Sequence, residues 1–115
     1  MASRLYTFVI DSQDPPGLAR WWARVLDWKV VFEAADEVVI AKSEDTYPAL
    51  VFVPVPEPKT GKNRLHLDFR PEDQDREVDR MLSLGASRVD VGQGEQSWVV
   101  LADPEGNEFC ILAPR

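Results

Sequence analysis

The residues with the most obvious chemistry surround the only histidine of the chain, His66. Around it, a polar set alternates strictly with an apolar set: His66, Asp68 and Arg70 against Leu65, Leu67 and Phe69. This alternation predicts a strand over Arg64 to Arg70 with its apolar face in a core and its polar face outward. An imidazole beside a carboxylate can exchange a proton near neutral pH or bind a metal ion.

The single cysteine, Cys110, is the other reactive side chain. Together with His66 it offers two zinc ligands, or a nucleophile with a neighbouring base. Two ligands are too few for a zinc site, so Asp68 or Glu108 would have to complete the set. The simpler interpretations are that His66 is hydrogen-bonded on a strand face and that Cys110 is a small buried hydrophobe. Likewise, Asp68 and Arg70 would pair with each other, or with Asp11 or Arg64 across strands, and would contact no ligand.

Length and composition describe a globular domain. The chain has 115 residues, 44% hydrophobic and 29% charged, with a formal net charge of −7. We expect one domain with a moderate core. The acidic balance argues against nucleic acid and against anionic membranes as partners. No run is apolar enough to span a membrane, we expect no signal peptide, and a lone cysteine suits the reducing cytoplasm.

Two helices are marked by their caps. Asp14 is the expected N-cap of a helix from Pro15 to about Asp27, whose apolar stripe is Leu18, Trp22, Val25 and Leu26. Trp21 lies off that stripe and would pack under a strand end or form a subunit contact. Asp73 is the N-cap of the second helix, with Val78, Met81 and Leu82 on its stripe and Gly85 at its end.

Strand patterns complete the order β-α-β-β-β, a linker, and β-α-β-β-β. The module boundaries are residues 4–55 for module one, 56–63 for the linker and 64–113 for module two. The other predicted strands are 5–11, 28–32, 38–42, 49–55, 87–91, 97–102 and 108–113. Pro54 indicates a sheet edge or a strand end. The run Asp103-Pro104-Glu105-Gly106-Asn107 predicts a tight turn.

This doubled pattern resembles the vicinal oxygen chelate superfamily, which holds glyoxalase I, bleomycin-resistance proteins and extradiol dioxygenases. The most specific similarities are the run His66 to Phe69, the run Asp103 to Phe109, and Leu26-Asp27-Trp28 after the first helix. The resemblance covers nearly the whole chain. It implies an α+β fold in which two tandem βαβββ modules form an open, cleft-bearing barrel of mixed sheet.

The resemblance also implies a divalent metal held by four strand positions, usually His or Gln at the opening strands and Glu at the closing strands. In this chain the opening positions fall on Thr7 and His66. The closing positions fall on Phe52 and Cys110, which are 58 residues apart and are therefore matched across the modules. Only His66 has the usual ligand type, so we expect no metal cofactor and no glyoxalase I activity itself. A divalent metal held by a non-standard set stays open as the alternative.

Three functions follow from these residues. The first is a metal-free binder of a small organic or drug-like molecule in the cleft between the modules. Its expected ligand contacts are His66, Asp68, Phe52, Cys110, Thr7 and Trp98, with Trp28 as a second aromatic. The second is a lyase, isomerase or dioxygenase-type enzyme that uses His66 or a non-standard metal. The third is a domain that acts mainly through protein contacts, for example as a homodimer with Trp21 as one anchor. We expect the first function, in a cytoplasmic protein that forms a homodimer.

Overall fold

A computed structural model describes residues 2–114. The chain forms two compact units, and the boundary between them follows Pro58, inside the predicted linker. Each unit has one helix and one four-stranded mixed sheet, so the fold is α+β with tandem modules. The predicted fold class is therefore confirmed. Within residues 2–114 no helix combines the length and the apolar character that crossing a membrane requires.

The first unit contains a parallel strand pair at one side of its sheet. Its sheet order is β1-β4-β3-β2, and β1 runs parallel to β4 while the other neighbours are antiparallel. Pro54 ends β4, which lies inside the sheet, so it marks a strand end and not an edge. The elements are β1 (Thr7–Ser12), α1 (Pro15–Leu26), β2 (Lys29–Ala34), β3 (Glu37–Ala41) and β4 (Ala49–Pro54).

The second unit repeats this topology with shorter strands. Its sheet order is β5-β8-β7-β6, again with the first pair parallel and the rest antiparallel. Its elements are β5 (Leu67–Phe69), α2 (Gln74–Leu84), β6 (Ser87–Arg88), β7 (Val99–Ala102) and β8 (Glu108–Ile111). The predicted element order is therefore correct in both units.

Helix α1 begins and ends where the sequence predicts. The Asp14 carboxylate accepts a hydrogen bond from the Gly17 N–H at 3.3 Å, and a Cβ at Gly17 would collide with Asp14 Oδ2. Asp27 ends the helix in the left-handed conformation, at φ 56°. Trp21 is only 8% exposed and meets Trp22 edge to face at 5.0 Å, so it packs within the first unit. A subunit contact through Trp21 stays a prediction.

Helix α2 is capped in the same way. Asp73 accepts a hydrogen bond from the Arg76 N–H at 3.1 Å, and Gly85 ends the helix at φ 116°, a conformation that glycine adopts without strain. Val78 and Met81 are buried, as the stripe predicts.

Strand lengths in the second unit are shorter than predicted. Strand β5 covers Leu67–Phe69 instead of residues 64–70, and Leu65, which was expected in the core, is 85% exposed. Strand β6 ends at Arg88 instead of residue 91. Alternation alone overestimates a strand when the neighbouring strand is too short to pair with its ends, because an unpaired end gains no ladder hydrogen bonds.

The turn between β7 and β8 is built around a buried carboxylate. Asp103, 2% exposed, accepts hydrogen bonds from the N–H groups of Glu105 and Asn107 at 2.9 and 3.0 Å and from the Asn107 side-chain amide at 2.9 Å. Gly106 takes φ 89° and donates its N–H to the Asp103 carbonyl at 2.9 Å. This turn sets the register of the hairpin that carries Trp98, Val100 and Cys110.

We expect Asp103→Ala to lower the free energy of unfolding by about 2–4 kcal/mol, because it leaves three donors in a partly buried turn without their acceptor. Urea denaturation at neutral pH measures this change. The matched control is Asp90→Ala. Asp90 is exposed and accepts one turn N–H, from Gly92 at 2.8 Å, so its loss should cost less than about 1 kcal/mol. Equal costs for both variants would contradict the role assigned to Asp103.

Candidate functional site

One face of the second sheet carries the polar residues singled out in the sequence. The pairing of Asp68 with Cys110 and of Cys110 with Val100 places these three side chains in one row across β5, β8 and β7. Residues two positions away share their face. The opposite face carries Leu101 and Ile111, which are both 0% exposed. The sheet therefore separates a core face from a face that is open to a ligand.

The open face forms a pocket of about 330 Å³. All the residues that line it belong to the second unit. Its lining residues are Lys62, Asn63, His66, Asp68, Val91, Gln93, Trp98, Val100, Glu108, Phe109, Cys110 and Leu112. Val100 and Cys110 are buried at its base, whereas Trp98 is 37% exposed at its rim.

Helix α2 fixes the strand ends that bear this pocket. The Gln74 side-chain amide donates hydrogen bonds to the Ser97 carbonyl at 2.8 Å and to the Ile111 carbonyl at 3.0 Å. These two carbonyls belong to residues directly before Trp98 and directly before Leu112. The helix start thereby positions two pocket residues through the backbone of their neighbours.

His66, Asp68 and Cys110 form a compact group of possible metal ligands or proton carriers. His66 Nε2 lies 3.2 Å from Asp68 Oδ1, and about half of each of these two side chains is exposed. One nitrogen, one oxygen and one sulfur from the three residues all lie within 4.8 Å of one another. The set suits a borderline cation such as zinc better than a hard cation such as magnesium, which prefers oxygen alone.

The thiol of Cys110 is held in its protonated form. Burial raises the pKa of the Cys110 thiol, and the negative charge of Asp68 and a hydrogen bond to its carboxylate raise it further. The positive charge of Lys62 acts in the opposite direction but does not outweigh them. Since the thiolate is the reactive species, free Cys110 is a poor nucleophile at neutral pH.

Glu108 is occupied by partners from the residues just before β5. Lys59 Nζ lies 2.6 Å from Glu108 Oε2, and the Asn63 N–H donates to Glu108 Oε1 at 2.6 Å. Burial alone would raise the pKa of Glu108, but the hydrogen bonds from Lys59 and Asn63 and the charge of Lys59 hold it below its usual value. Of the two carboxylates considered as completing ligands, Asp68 is the one grouped with His66 and Cys110.

The four positions implied by the family resemblance do not match across the two units as expected. The strand register pairs Val9 with Val51 and Asp68 with Cys110. The helix N-caps repeat every 59 residues, and with that repeat the counterpart of Cys110 is Val51, not Phe52. A shift of one residue turns a side chain to the other face of a sheet. Phe52 is 0% exposed, and Ile111, also 0% exposed, is its counterpart in the second unit.

The structure brings four predicted site residues into one pocket: His66, Asp68, Cys110 and Trp98. Thr7 and Phe52 belong to the first unit and do not line this pocket. Ligand binding by these two residues, and a cleft between the modules, stay predictions. Trp28 also belongs to the first unit.

Sequence reasoning missed a set of lining residues that come from irregular segments: Lys62, Asn63, Val91, Gln93 and Leu112. Lys62, Asn63 and Gln93 show no period of two or 3.6 that would have placed them on a face. Val91 and Leu112 were predicted at strand ends, but they lie beyond the strands that the structure forms. The polar composition of the linker was the only available signal for Lys62 and Asn63. The segment that contains Lys62 and Asn63 is held beside β8, because the Asn63 N–H donates a hydrogen bond to Glu108 Oε1.

The chain belongs to a family defined by a glyoxalase-like domain, which matches residues 7–112. No curated protein matches its sequence. The fold and this match place it in the superfamily of glyoxalases, bleomycin-resistance proteins and dioxygenases, so the predicted resemblance is confirmed. The match spans both units and includes each of the four pocket residues predicted from the sequence.

Solved structures with this fold have diverse activities. A glyoxalase/bleomycin resistance protein/dioxygenase family enzyme from Burkholderia phytofirmans has a TM-score of 0.78 and 17% identity, with 98% of this chain and 100% of that chain covered. A fosfomycin resistance protein from Listeria monocytogenes has a TM-score of 0.76 and 14% identity, with 100% of this chain and 94% of that chain covered. The trypanothione-dependent glyoxalase I of Leishmania major has a TM-score of 0.72 and 16% identity, with 97% of this chain and 87% of that chain covered. Such low identities establish the fold alone.

We expect Glu108→Gln to destabilise the protein by about 1–3 kcal/mol at pH 7, because the partly buried Lys59 loses its counter-charge. The folded pKa of Glu108 lies below the unfolded value, so the folded state favours the carboxylate. This stabilisation is complete above the unfolded pKa of about 4.3 and is lost as the pH falls through the folded pKa. The cost of the substitution should therefore shrink towards zero in acid.

Urea denaturation of both proteins across the acid range measures this dependence. The matched control is Glu77→Gln, which removes the more exposed pair with Arg80 at 3.0 Å and should change stability by less than about 1 kcal/mol. A cost for Glu108→Gln that stays constant from neutral pH into strong acid would show that the Glu108 charge contributes nothing.

Asp68→Asn should shift the alkylation profile of Cys110 to lower pH, because it removes both the negative charge and the carboxylate that accepts from the thiol. Lys62→Met should shift the same profile to higher pH. The rate of reaction with iodoacetamide as a function of pH reports this directly, since Cys110 is the only cysteine. We expect Asp68→Asn to increase the rate at pH 7 by about two- to tenfold. Identical alkylation profiles for the wild type, Asp68→Asn and Lys62→Met would show that neither charge affects the pKa of the Cys110 thiol.

Proposed function

We propose that this protein binds a small organic molecule in the second-unit pocket, and that the molecule is aromatic and either neutral or positively charged. The supporting observation is the pocket itself. It has a volume of about 330 Å³ and is lined by apolar side chains with a few polar groups. This is the usual make-up of small-molecule sites. Val100, Leu112 and Trp98 supply the apolar surface, and His66 and Asp68 supply groups that can orient a ligand.

Trp98 favours an aromatic ligand. Its side chain is 37% exposed and lines the pocket, and the Gln74 bond to the preceding carbonyl holds its backbone in place. An indole ring stacks on other aromatic rings and attracts cations to its face. A ligand ring placed against Trp98 would cover surface that is now in contact with water.

The charges of the pocket favour a neutral or cationic ligand over an anion. Glu108 is neutralised by Lys59, and Lys62 and Asp68 contribute one charge of each sign. The net charge of −7 on the chain repels anions as they approach. The exposed Asp68 carboxylate can then accept a hydrogen bond from a ligand amine or hydroxyl.

The second candidate function is that of an enzyme in which His66 gives or takes a proton. The 3.2 Å approach of His66 Nε2 to Asp68 Oδ1 supports this, because a carboxylate fixes the orientation of an imidazole. Catalysis by Cys110 as a free nucleophile is not favoured, since its thiol is protonated at neutral pH. Neither function depends on the expected homodimer or on the cytoplasmic location, which stay predictions.

The test uses protein labelled with fluorotryptophan, in buffer that contains a chelator. Each of the four tryptophans gives one fluorine resonance, and Trp98→Phe assigns that of Trp98. In a screen of aromatic amines and uncharged aromatic compounds, we expect hits that shift the Trp98 resonance and leave those of the buried Trp21 and Trp22 unchanged. Compounds that bind without moving the Trp98 resonance would contradict the proposed pocket, as would a screen without hits.

Substitutions then test the contacts. Trp98→Ala should weaken a hit by about 1 kcal/mol, or about fivefold in Kd. Asp68→Asn should weaken the binding of amine-bearing hits more than the binding of uncharged hits. The matched control is Phe32→Ala, which removes an aromatic ring that is 51% exposed in the first unit and should leave Kd unchanged.

A further inference from the structure

We propose that His66, Asp68 and Cys110 bind a thiophilic divalent cation, of which zinc is the representative, within the second unit alone. This inference departs from the expectation of a metal-free pocket, and it deepens the proposed function because the same pocket would hold both cation and organic ligand. It shares His66 and Cys110 with the positions implied by the resemblance, but it adds Asp68 and takes no ligand from the first unit.

The geometry of the three donors supports the site. Their nitrogen, oxygen and sulfur atoms lie within 4.8 Å of one another, and the His66–Asp68 approach is already 3.2 Å. Around tetrahedral zinc the bonds of about 2.0–2.3 Å put neighbouring donor atoms about 3.3–3.6 Å apart. The side chains of His66 and Asp68 are half exposed, so they can rotate to bring the three donor atoms from within 4.8 Å to the spacing that zinc requires. The pairing of Asp68 with Cys110 fixes their backbones as neighbours.

The chemistry of the donors selects the ion. A thiolate, an imidazole and one carboxylate suit zinc, cobalt or cadmium, whereas magnesium, calcium and manganese prefer sites made of oxygen ligands. Binding would release the thiol proton of Cys110 to solvent, because the thiolate is the ligand. Three protein ligands leave the fourth tetrahedral position open towards the pocket, where water or a ligand oxygen or nitrogen can bind.

The first unit cannot reproduce this site. With the 59-residue repeat of the helix caps, the counterparts of His66, Asp68 and Cys110 are Thr7, Val9 and Val51. None of these carries a nitrogen, sulfur or carboxylate donor in its side chain. The proposal therefore specifies one cation per chain.

The experiment is a cobalt(II) titration of the metal-free full chain, with no organic ligand present. We expect saturation at one cobalt per chain and an absorption band from charge transfer between thiolate and cobalt. Zinc should remove that band by displacement, and magnesium should not. Cys110→Ser should abolish the band, and His66→Gln and Asp68→Asn should each weaken cobalt binding at least about tenfold.

The control is Asp79→Asn, which changes an exposed carboxylate on α2 and should leave the titration unaltered. If Cys110→Ser does not fold, the test rests on His66→Gln, whose site is half exposed. No thiolate band with excess cobalt, or a band that persists in Cys110→Ser, overturns the proposal. Either result leaves the organic ligand screen intact, because that screen is carried out with a chelator present.

Discussion

The parallel pairing of the opening and closing strands is the constraint on which the second unit depends. In that unit Asp68 is the partner of Cys110, and Cys110 is in turn the partner of Val100. Because side chains alternate along a strand, this one register decides which residues face the pocket and which pack in the core. A shift by one residue would bury Asp68 and expose Phe109. The fully buried apolar set on the opposite face makes that shift costly.

The ends of the sheet are tied to this register by polar groups. Gln74 holds the carbonyls of Ser97 and Ile111, and Glu108 holds Asn63 and Lys59. The buried Asp103 fixes the turn between the two strands that contribute most of the pocket base. These bonds connect the irregular segments to the sheet, so that residues without any periodic pattern, such as Lys62, still have defined positions. The pocket is therefore a consequence of local hydrogen bonding around a short sheet.

The sequence predicted the parts that local physics determines. The N-caps Asp14 and Asp73, the glycine at the end of α2 and the turn at Asp103 were all placed correctly, because each depends on a few neighbouring residues. Strand ends in the second unit were not, since Leu65 and Val91 look like strand residues but lack a paired neighbour. The match of Phe52 with Cys110 failed for a related reason. Both positions lie in continuous apolar runs, where alternation does not reveal the face.

The same comparison explains why the group of possible metal ligands lies in the second unit and has no counterpart in the first. The face that holds His66, Asp68 and Cys110 in one unit holds Thr7, Val9 and Val51 in the other, although the strand pairing is the same. Two copies of one topology can thus carry different side-chain chemistry without any change in backbone register, because this strand face accepts polar and apolar residues alike. The core face has no such freedom. Phe52 and Ile111 both remain fully buried aliphatic or aromatic residues, since a polar group there would lose its hydration without gaining a partner.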